Sequence, residues 1–351
     1  MKVLMVHEDP WKAGNPYIST LIDAIQQLHP DCHMAWGRDA FWSDDALTYD
    51  IVHFHWPQTF MGRDPHSEEQ FQQHIDRMRA AGVKILATCH DLKPHYRQFA
   101  EHAEAMRIVY ERCEVIIHLG SYSLALFQQL YPQATHVLIP HHLYDTLYPV
   151  RPSRQEALQR LNLPADRRYV LCFGAFRARQ ERELIKLLGR ALAPQHVTIL
   201  APSFMNVWWH TFRHPLYLLR KAWLQHRYHI RCTGSSWRAV SDAMLPYYYA
   251  AADAVFVQRV KILNSGNALL PMLFGRVVAG PDCGNVGPLL RHWGYPTFPV
   301  DAPHQAVDAV RKALALSAGG LAEDNRPKQL KEYSTTTIAH RLYQLYQQIT
   351  A

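Results

Sequence analysis

An α/β protein of two doubly wound domains is the fold class this sequence predicts, and three observations predict it. Short apolar runs of strand length alternate with longer amphipathic segments of helix length. The alternation runs through once, halts at the proline-punctuated stretch Tyr148-Pro149-Val150-Arg151-Pro152, and starts again. At 351 residues and 48% hydrophobic, the chain is long enough to bury two cores of ordinary size.

In the first domain, expected over 1–150, strands are predicted at 3–7, 51–55, 83–89, 115–118 and 136–139, each an apolar run of the kind a sheet covered on both faces requires. Helices are predicted near 16–28, 68–81, 98–112 and 121–130, where the spacing shifts to three and four. The second domain, expected over 151–334, carries strand-like runs at 169–173, 196–200, 231–233, 254–257 and 277–279. The tail at 335–349 sets Ile338, Leu342, Leu345 and Ile349 on one helical face, and is expected to pack back across the first domain.

Composition narrows the function classes. A net charge of +7 suits an anionic ligand, nucleic acid or an acidic membrane surface. No recognised nucleic-acid-binding motif appears and the basic residues are dispersed, so no nucleic-acid partner is expected. No stretch sustains the roughly 18 apolar residues of a membrane span, and the first residues read as a strand and not as a signal peptide, which predicts a cytoplasmic protein. Cys32, Cys89, Cys113, Cys172, Cys232 and Cys283 lack CxxC spacing and read as small core residues. His53 and His55 alternate at a strand end and so share a face, but spacing supplies no further ligand; no metal is expected there or at His141-His142.

The most informative stretch is Asn264-Ser265-Gly266-Asn267, directly behind the apolar run 253–257 and ahead of the apolar residues 268–274. A polar, flexible turn between a strand and a helix leaves free N–H groups at the helix start, and glycine lets a ligand come close; this layout suits a phosphate or a nucleoside diphosphate. In an open α/β sheet such a turn lies at the carboxyl edge, where ligands bind. The same layout also serves simply to cap a helix.

These motifs carry a resemblance. The two doubly wound halves, the Ser-Gly turn and the His90-Asp91 pair after a strand resemble a GT-B glycosyltransferase, a fold of two Rossmann-like domains facing across a cleft. More closely, Asn15-Pro16-Tyr17, the run from Tyr49 to Pro57, the run from Thr88 to His95, Phe173-Gly174-Ala175-Phe176-Arg177 and Asn264-Ser265-Gly266 are similar to bacterial capsule and exopolysaccharide transferases of the family 4 type and to xanthan-pathway mannosyltransferases. The resemblance implies a hexosyltransferase that takes a nucleotide sugar in its second domain and a lipid-linked or growing polysaccharide in its first, and needs no metal or other cofactor. It further implies that Ser265 and Gly266 offer N–H groups to the diphosphate, that Asn264 and Asn267 bond sugar hydroxyls, and that Arg177 faces the diphosphate as an always-charged donor. His90 is implied to stand near the transferred sugar, with Asp91 and His95 supporting its loop.

The chain departs from that pattern in two respects. Gln180 stands where the wider family has a phosphate-binding lysine, with Arg179 and Arg182 as substitutes, and the usual pair of glutamates falls on Ile262 and Leu270. The donor base and sugar stay open on this ground. Glu8, at the end of the first strand, is the candidate general base for an inverting reaction, or else a surface carboxylate. Asn15 is a candidate acceptor contact or a helix cap, and His55 and Trp56 are expected to border the acceptor pocket. Between Phe204 and Tyr228, aromatics including Trp208, Trp209, Phe212, Tyr217 and Trp223 interleave with Arg213, Arg220, Lys221 and Arg227. That mixture fits either a peripheral contact with the inner membrane face or a helix pair packed on the sheet. The competing function classes are a GT-B-fold nucleotide-sugar epimerase or a glycogen-phosphorylase-like enzyme, and a non-enzymatic nucleic-acid binder.

Overall fold

The computed structural model describes residues 1–93, 97–205, 215–232 and 240–351. The chain divides into two compact units, Met1–Thr146 with Glu332–Ala351, and Leu147–Lys331.

The first unit runs β1 (Lys2–Val6), α1 (Tyr17–Leu28), β2 (His33–Trp36), α2 (Arg38–Trp42), β3 (Ile51–Phe54), α3 (Pro57–Met61), α4 (Glu68–Ala80), β4 (Lys84–Cys89), α5 (Ala103–Arg112), β5 (Val115–His118), α6 (Ser121–Leu130) and β6 (Thr135–Leu138). All strand pairs are parallel, in the order β2-β1-β3-β4-β5-β6. Strands β3 and β5 are buried throughout and β1 from Val3 onward, and apart from His53 and His118 these buried residues are apolar, as a sheet with helices on both faces demands. Strand β2 escapes sequence reading because it lies at the sheet edge, where His33 and Trp36 are exposed and the apolar signal is lost. The predicted helix at 98–112 begins instead as a 3-10 turn, Arg97–His102, before α5.

The second unit contains α7 (Arg154–Arg160), β7 (Arg168–Leu171), α8 (Arg179–Leu192), β8 (Val197–Leu200), α9 (Pro215–Tyr228), β9 (Ile230–Arg231), α10 (Leu245–Ala251), β10 (Ala254–Phe256), α11 (Gly266–Leu273), β11 (Val278–Pro281), α12 (Val286–His292), β12 (Thr297–Phe298), α13 (Ala306–Ala318) and α14 (Leu321–Tyr333). Its sheet is also parallel, in the order β12-β11-β10-β7-β8-β9. Counted from the first strand of the unit, that is 6-5-4-1-2-3, the order of a dinucleotide-binding sheet, whose direction of winding reverses between β7 and β10.

Helix α15 (Thr335–Thr350) returns to the first unit and packs on α1. Asp145 accepts from the Thr335 N–H at 2.7 Å and from its hydroxyl at 2.8 Å, so the last residues of the sheet domain hold the start of the returning helix. Farther along, the Tyr343 hydroxyl donates to Asp31 (2.7 Å) and its ring stacks on His29 at 3.6 Å. Buried Tyr346 reaches the His53 imidazole, 2.7 Å away.

All six cysteines are free, and only Cys283 is partly exposed. Among the described residues no helix is long and apolar enough to cross a membrane. In the aromatic segment, Trp208, Trp209, Phe212 and Arg213 lie outside the described residues, as does the side chain of Tyr217.

Candidate functional site

In the second unit the carboxyl ends of β7 and β10 come together at the point where the winding reverses, and the motif residues gather there. The loop after β7 carries Gly174 with φ of +89°, a backbone conformation that glycine adopts without penalty. A Cβ on Gly174 would stand 2.5 Å from Asn267 Nδ2. The reason is a direct tie: Asn267, at the second position of α11, donates from Nδ2 to the Phe173 carbonyl at 2.9 Å. Gln258, just past β10, donates to the same carbonyl at 3.1 Å. Arg259 donates to the Ala175 carbonyl (3.2 Å) and Arg182 to that of Phe176 (2.9 Å). Side chains thus hold three carbonyls of this loop, and Asn267 joins the loop to the helix start. One N–H of the Asn267 amide, the group expected to meet a sugar hydroxyl, is given to this backbone carbonyl.

Helix α11 begins at Gly266 with Ser265 as its N-cap and no side-chain cap. Its first N–H groups therefore lack the usual internal acceptor. Space is open there: a Cβ on Gly266 would meet nothing within 4 Å. Asn264 accepts from Asn285 Nδ2 at 2.8 Å, which anchors the turn to the start of α12. Ser265 is half-buried beside it.

Arg177 and Gln180 are exposed at the start of α8. The Arg177 and Ala178 N–H groups both donate to Glu181 Oε2, at 2.7 and 3.3 Å. Ala178 has no side-chain oxygen, so this is only the carboxylate half of a capping box. Buried Glu181 also lies 3.7 Å from the Arg259 guanidinium. Consequently the Arg177 amide is already taken by Glu181. Glu181, Gln258 and Asn285 are absent from the sequence reading. Glu181 had a local signal, a glutamate three residues after a loop end; the other two meet the site only through the sheet.

In the first unit a cluster of aromatic and imidazole rings lies past the carboxyl ends of β3 and β4. These strands are adjacent and parallel, so His55 and His90, each one residue beyond its strand, are brought side by side, with Nδ1 of His55 3.0 Å from Nε2 of His90. Trp56 stacks on His90 at 3.9 Å and 21°. Tyr17, the first residue of α1, sets its ring edge-on to His90 at 5.1 Å and stacks on His142 at 5.0 Å. Burial first, and then the neighbouring imidazoles, hold His55 and His90 well below the ordinary histidine range, so both are neutral near pH 7. Burial takes His53 down to about 3; it bonds Tyr346 and Thr88, the latter at 2.9 Å. His55 Nε2 is buried without a partner. An orphaned lone pair is better tolerated than an orphaned N–H, which puts the His55 proton on Nδ1, donated to His90 Nε2. His90 then carries its own proton on Nδ1 and is a hydrogen-bond donor there.

Glu8 stands differently from expectation. Arg38 Nη2 and Arg63 Nη1 hold one of its oxygens each, at 3.2 and 2.8 Å. That is the geometry of an ion-pair partner and not of a base awaiting a substrate hydroxyl. Asn15 is exposed and accepts from the Tyr17 N–H (3.1 Å) and the Tyr144 hydroxyl (3.0 Å). It precedes the N-cap, Pro16, by one residue, and so braces the entry to α1. His95 lies outside the described residues, while Asp91 is buried behind His90 in sequence. Among the described residues no group of three or more His, Cys, Asp or Glu side chains is arranged to hold a metal ion.

No protein-family model and no curated protein matches this chain. Solved structures do. Sucrose-phosphate synthase from Thermosynechococcus elongatus superposes with a TM-score of 0.73 over 99% of both chains at 17% identity. HepE of Anabaena, solved with UDP-glucose, gives a TM-score of 0.70 over 99% of this chain and 100% of its own, at 14% identity. An enzyme described as a putative UDP-N-acetylglucosamine 2-epimerase from Listeria monocytogenes gives 0.58 at 12% identity, over 97% of this chain and 94% of its own. With two parallel six-stranded sheets wound in these orders, the chain has the GT-B fold of two Rossmann-like domains.

Proposed function

We propose that this protein is a glycosyltransferase that moves a hexose from a nucleoside diphosphate sugar to a lipid-linked or growing surface polysaccharide, without a bound metal or other cofactor. The observation that carries the donor half is the tie at the switch point of the second sheet. There Asn267 fastens the open N-terminus of α11 to the Gly174 loop. Two loops so joined, with exposed Arg177 beside them, make a preformed diphosphate cradle that needs no reorganisation when charge builds on the leaving group. In this reading Ser265 and Gly266 serve the phosphates and Arg177, with Gln180, flanks them. The fold is shared with HepE, which was solved with UDP-glucose.

The acceptor is assigned to the first unit, with His90 as the group nearest the chemistry and His55 and Trp56 beside it. The stack of Trp56 on His90 makes the apolar wall a sugar face would cover. A membrane-borne acceptor is supported by α9, where Leu218, Leu219 and Trp223 are 57%, 64% and 50% exposed among Arg220, Lys221 and Arg227. Co-sedimentation with phosphatidylglycerol vesicles but not with phosphatidylcholine vesicles is expected; no difference between the two would remove that part.

The deciding experiment is a thermal-shift screen of GDP, UDP, ADP and dTDP, with and without EDTA. A ligand that binds only the folded state raises its apparent stability by mass action. At least one diphosphate should raise the melting temperature, and the rise should survive chelation. If none does, the donor assignment fails; if EDTA removes the rise and magnesium restores it, the metal-free assignment fails. Incubation with the selected nucleotide sugar and no acceptor separates transfer from epimerisation, since only an epimerase changes the sugar.

A further inference from the structure

A cavity of about 590 Å³ opens in the second unit beside the amino-terminal ends of β7 and β8, at the other end of these strands from the Gly174 loop. Tyr169 and Thr198, side by side in register, line it together with residues of α9. Among the described residues its lining includes Arg167, Arg231, His226 and His229, and no carboxylate. Arg167 and Arg231 are both partly buried. Arg167 donates to the Thr198 hydroxyl at 3.4 Å and Arg231 to the Asn162 carbonyl at 2.6 Å; neither is paired with a described carboxylate. Asp166, next in the chain, does not line the cavity. Two guanidinium groups that line one cavity without a counter-charge repel each other, and an anion between them would relieve the repulsion. His229 records the same excess: burial first, and then the Arg167 charge, lower its pKa.

The α9 wall is packed against α8. His229 closes α9 in the left-handed conformation at φ 52°, its N–H donating to the Gln225 carbonyl at 3.1 Å. The Tyr228 carbonyl just before it sits so close to Gly189 of α8 that a Cβ there would collide. The Arg190 guanidinium covers the Tyr228 ring at 4.3 Å.

We propose that this cavity is a second anion site, distinct from the switch point, that takes a phosphomonoester of monosaccharide size. Guanidinium groups favour phosphate oxygens through paired, charge-assisted bonds. The volume lies in the range of small-molecule pockets, about 300–1,000 Å³, and a phosphate alone would leave most of it empty. Gln225 and His226, exposed on the rim, are placed to meet sugar hydroxyls.

The test is calorimetric titration of the full chain with glucose 6-phosphate, inorganic phosphate and glucose. Wild type should bind glucose 6-phosphate, phosphate more weakly, and glucose not at all. Arg167→Gln and Arg231→Gln should each weaken glucose 6-phosphate binding about tenfold or more. Ala222→Trp, which fills the cavity and leaves every charge in place, should abolish it. All three variants should keep wild-type affinity for the nucleoside diphosphate selected above, which also verifies that they fold. Three results overturn the proposal: no phosphate probe binds wild type, glucose 6-phosphate binds Ala222→Trp normally, or the nucleoside diphosphate displaces it competitively.

Discussion

At the residue scale, the two units give their key side chains different work, and this can be measured. His90 is neutral, stacked and bonded to His55, and in the role proposed for it would contribute a positioned hydrogen bond. His90→Ala should lower turnover on the order of a hundredfold and leave affinity for free nucleoside diphosphate unchanged, because the proposed diphosphate site is in the second unit. Arg177→Ala should do the reverse: a charge-assisted bond worth roughly 1.5–3 kcal/mol predicts about tenfold weaker diphosphate binding, with the fold intact since Arg177 is exposed. Initial rates and nucleotide affinities on both variants are the measurement. Full turnover in His90→Ala, or unaltered affinity in Arg177→Ala, would sink the respective role.

At the element scale, α11 is short and apolar, and all it exposes to a ligand is its first turn. Gly266 tests whether that turn approaches phosphates. Because a Cβ there meets nothing in the protein, Gly266→Val should fold normally, at a cost of no more than about 1 kcal/mol at a helix end. Its branched side chain would instead occupy the space a phosphate needs. Circular dichroism should match wild type while nucleoside diphosphate binding is lost; normal binding by the variant would move the phosphate site away from α11. Gly174 cannot be used in this way, because a side chain there would collide with Asn267 and break the tie itself.

At the scale of the whole molecule, buried histidines of the first unit, His53, His55, His90, His118, His141 and His142 among them, couple its stability to pH. Burial holds His53 and His118 at about 3 and His141 at about 4, and keeps His55, His90 and His142 well below the ordinary value. Their folded-state pKa values are depressed, so their neutral forms are compatible with full stability above about 6.5, the unfolded value. As pH falls below that, the unfolded chain takes up protons the folded unit refuses, at up to about 1.4 kcal/mol per histidine per pH unit. Calorimetric scans from pH 7.5 to 5 should therefore show one transition falling by about 10 °C or more. A second transition, from the other unit, should move much less. Identical scans across that range would mean that the imidazoles are not buried neutral.

The sequence alone determined two parallel α/β sheets, the helical tail and the polar Ser-Gly turn before α11. These depend on local periodicity and on backbone chemistry within a few residues, and both can be read in one dimension. Edge strand β2 was not legible, since an edge position removes the apolar pattern that identifies a strand. Nor was the tie made by Asn267, whose partner, the Phe173 carbonyl, is distant in sequence and 2.9 Å away. Glu8 reads as an unpaired carboxylate until Arg38 and Arg63 converge on it. The order of the strands decided which loops face one another at the switch point. The return of α15 placed Tyr346 against His53, and burial decided which histidines stay neutral. Each of these depends on the distance and solvation between residues far apart in the chain, quantities that exist only once the sheet has formed.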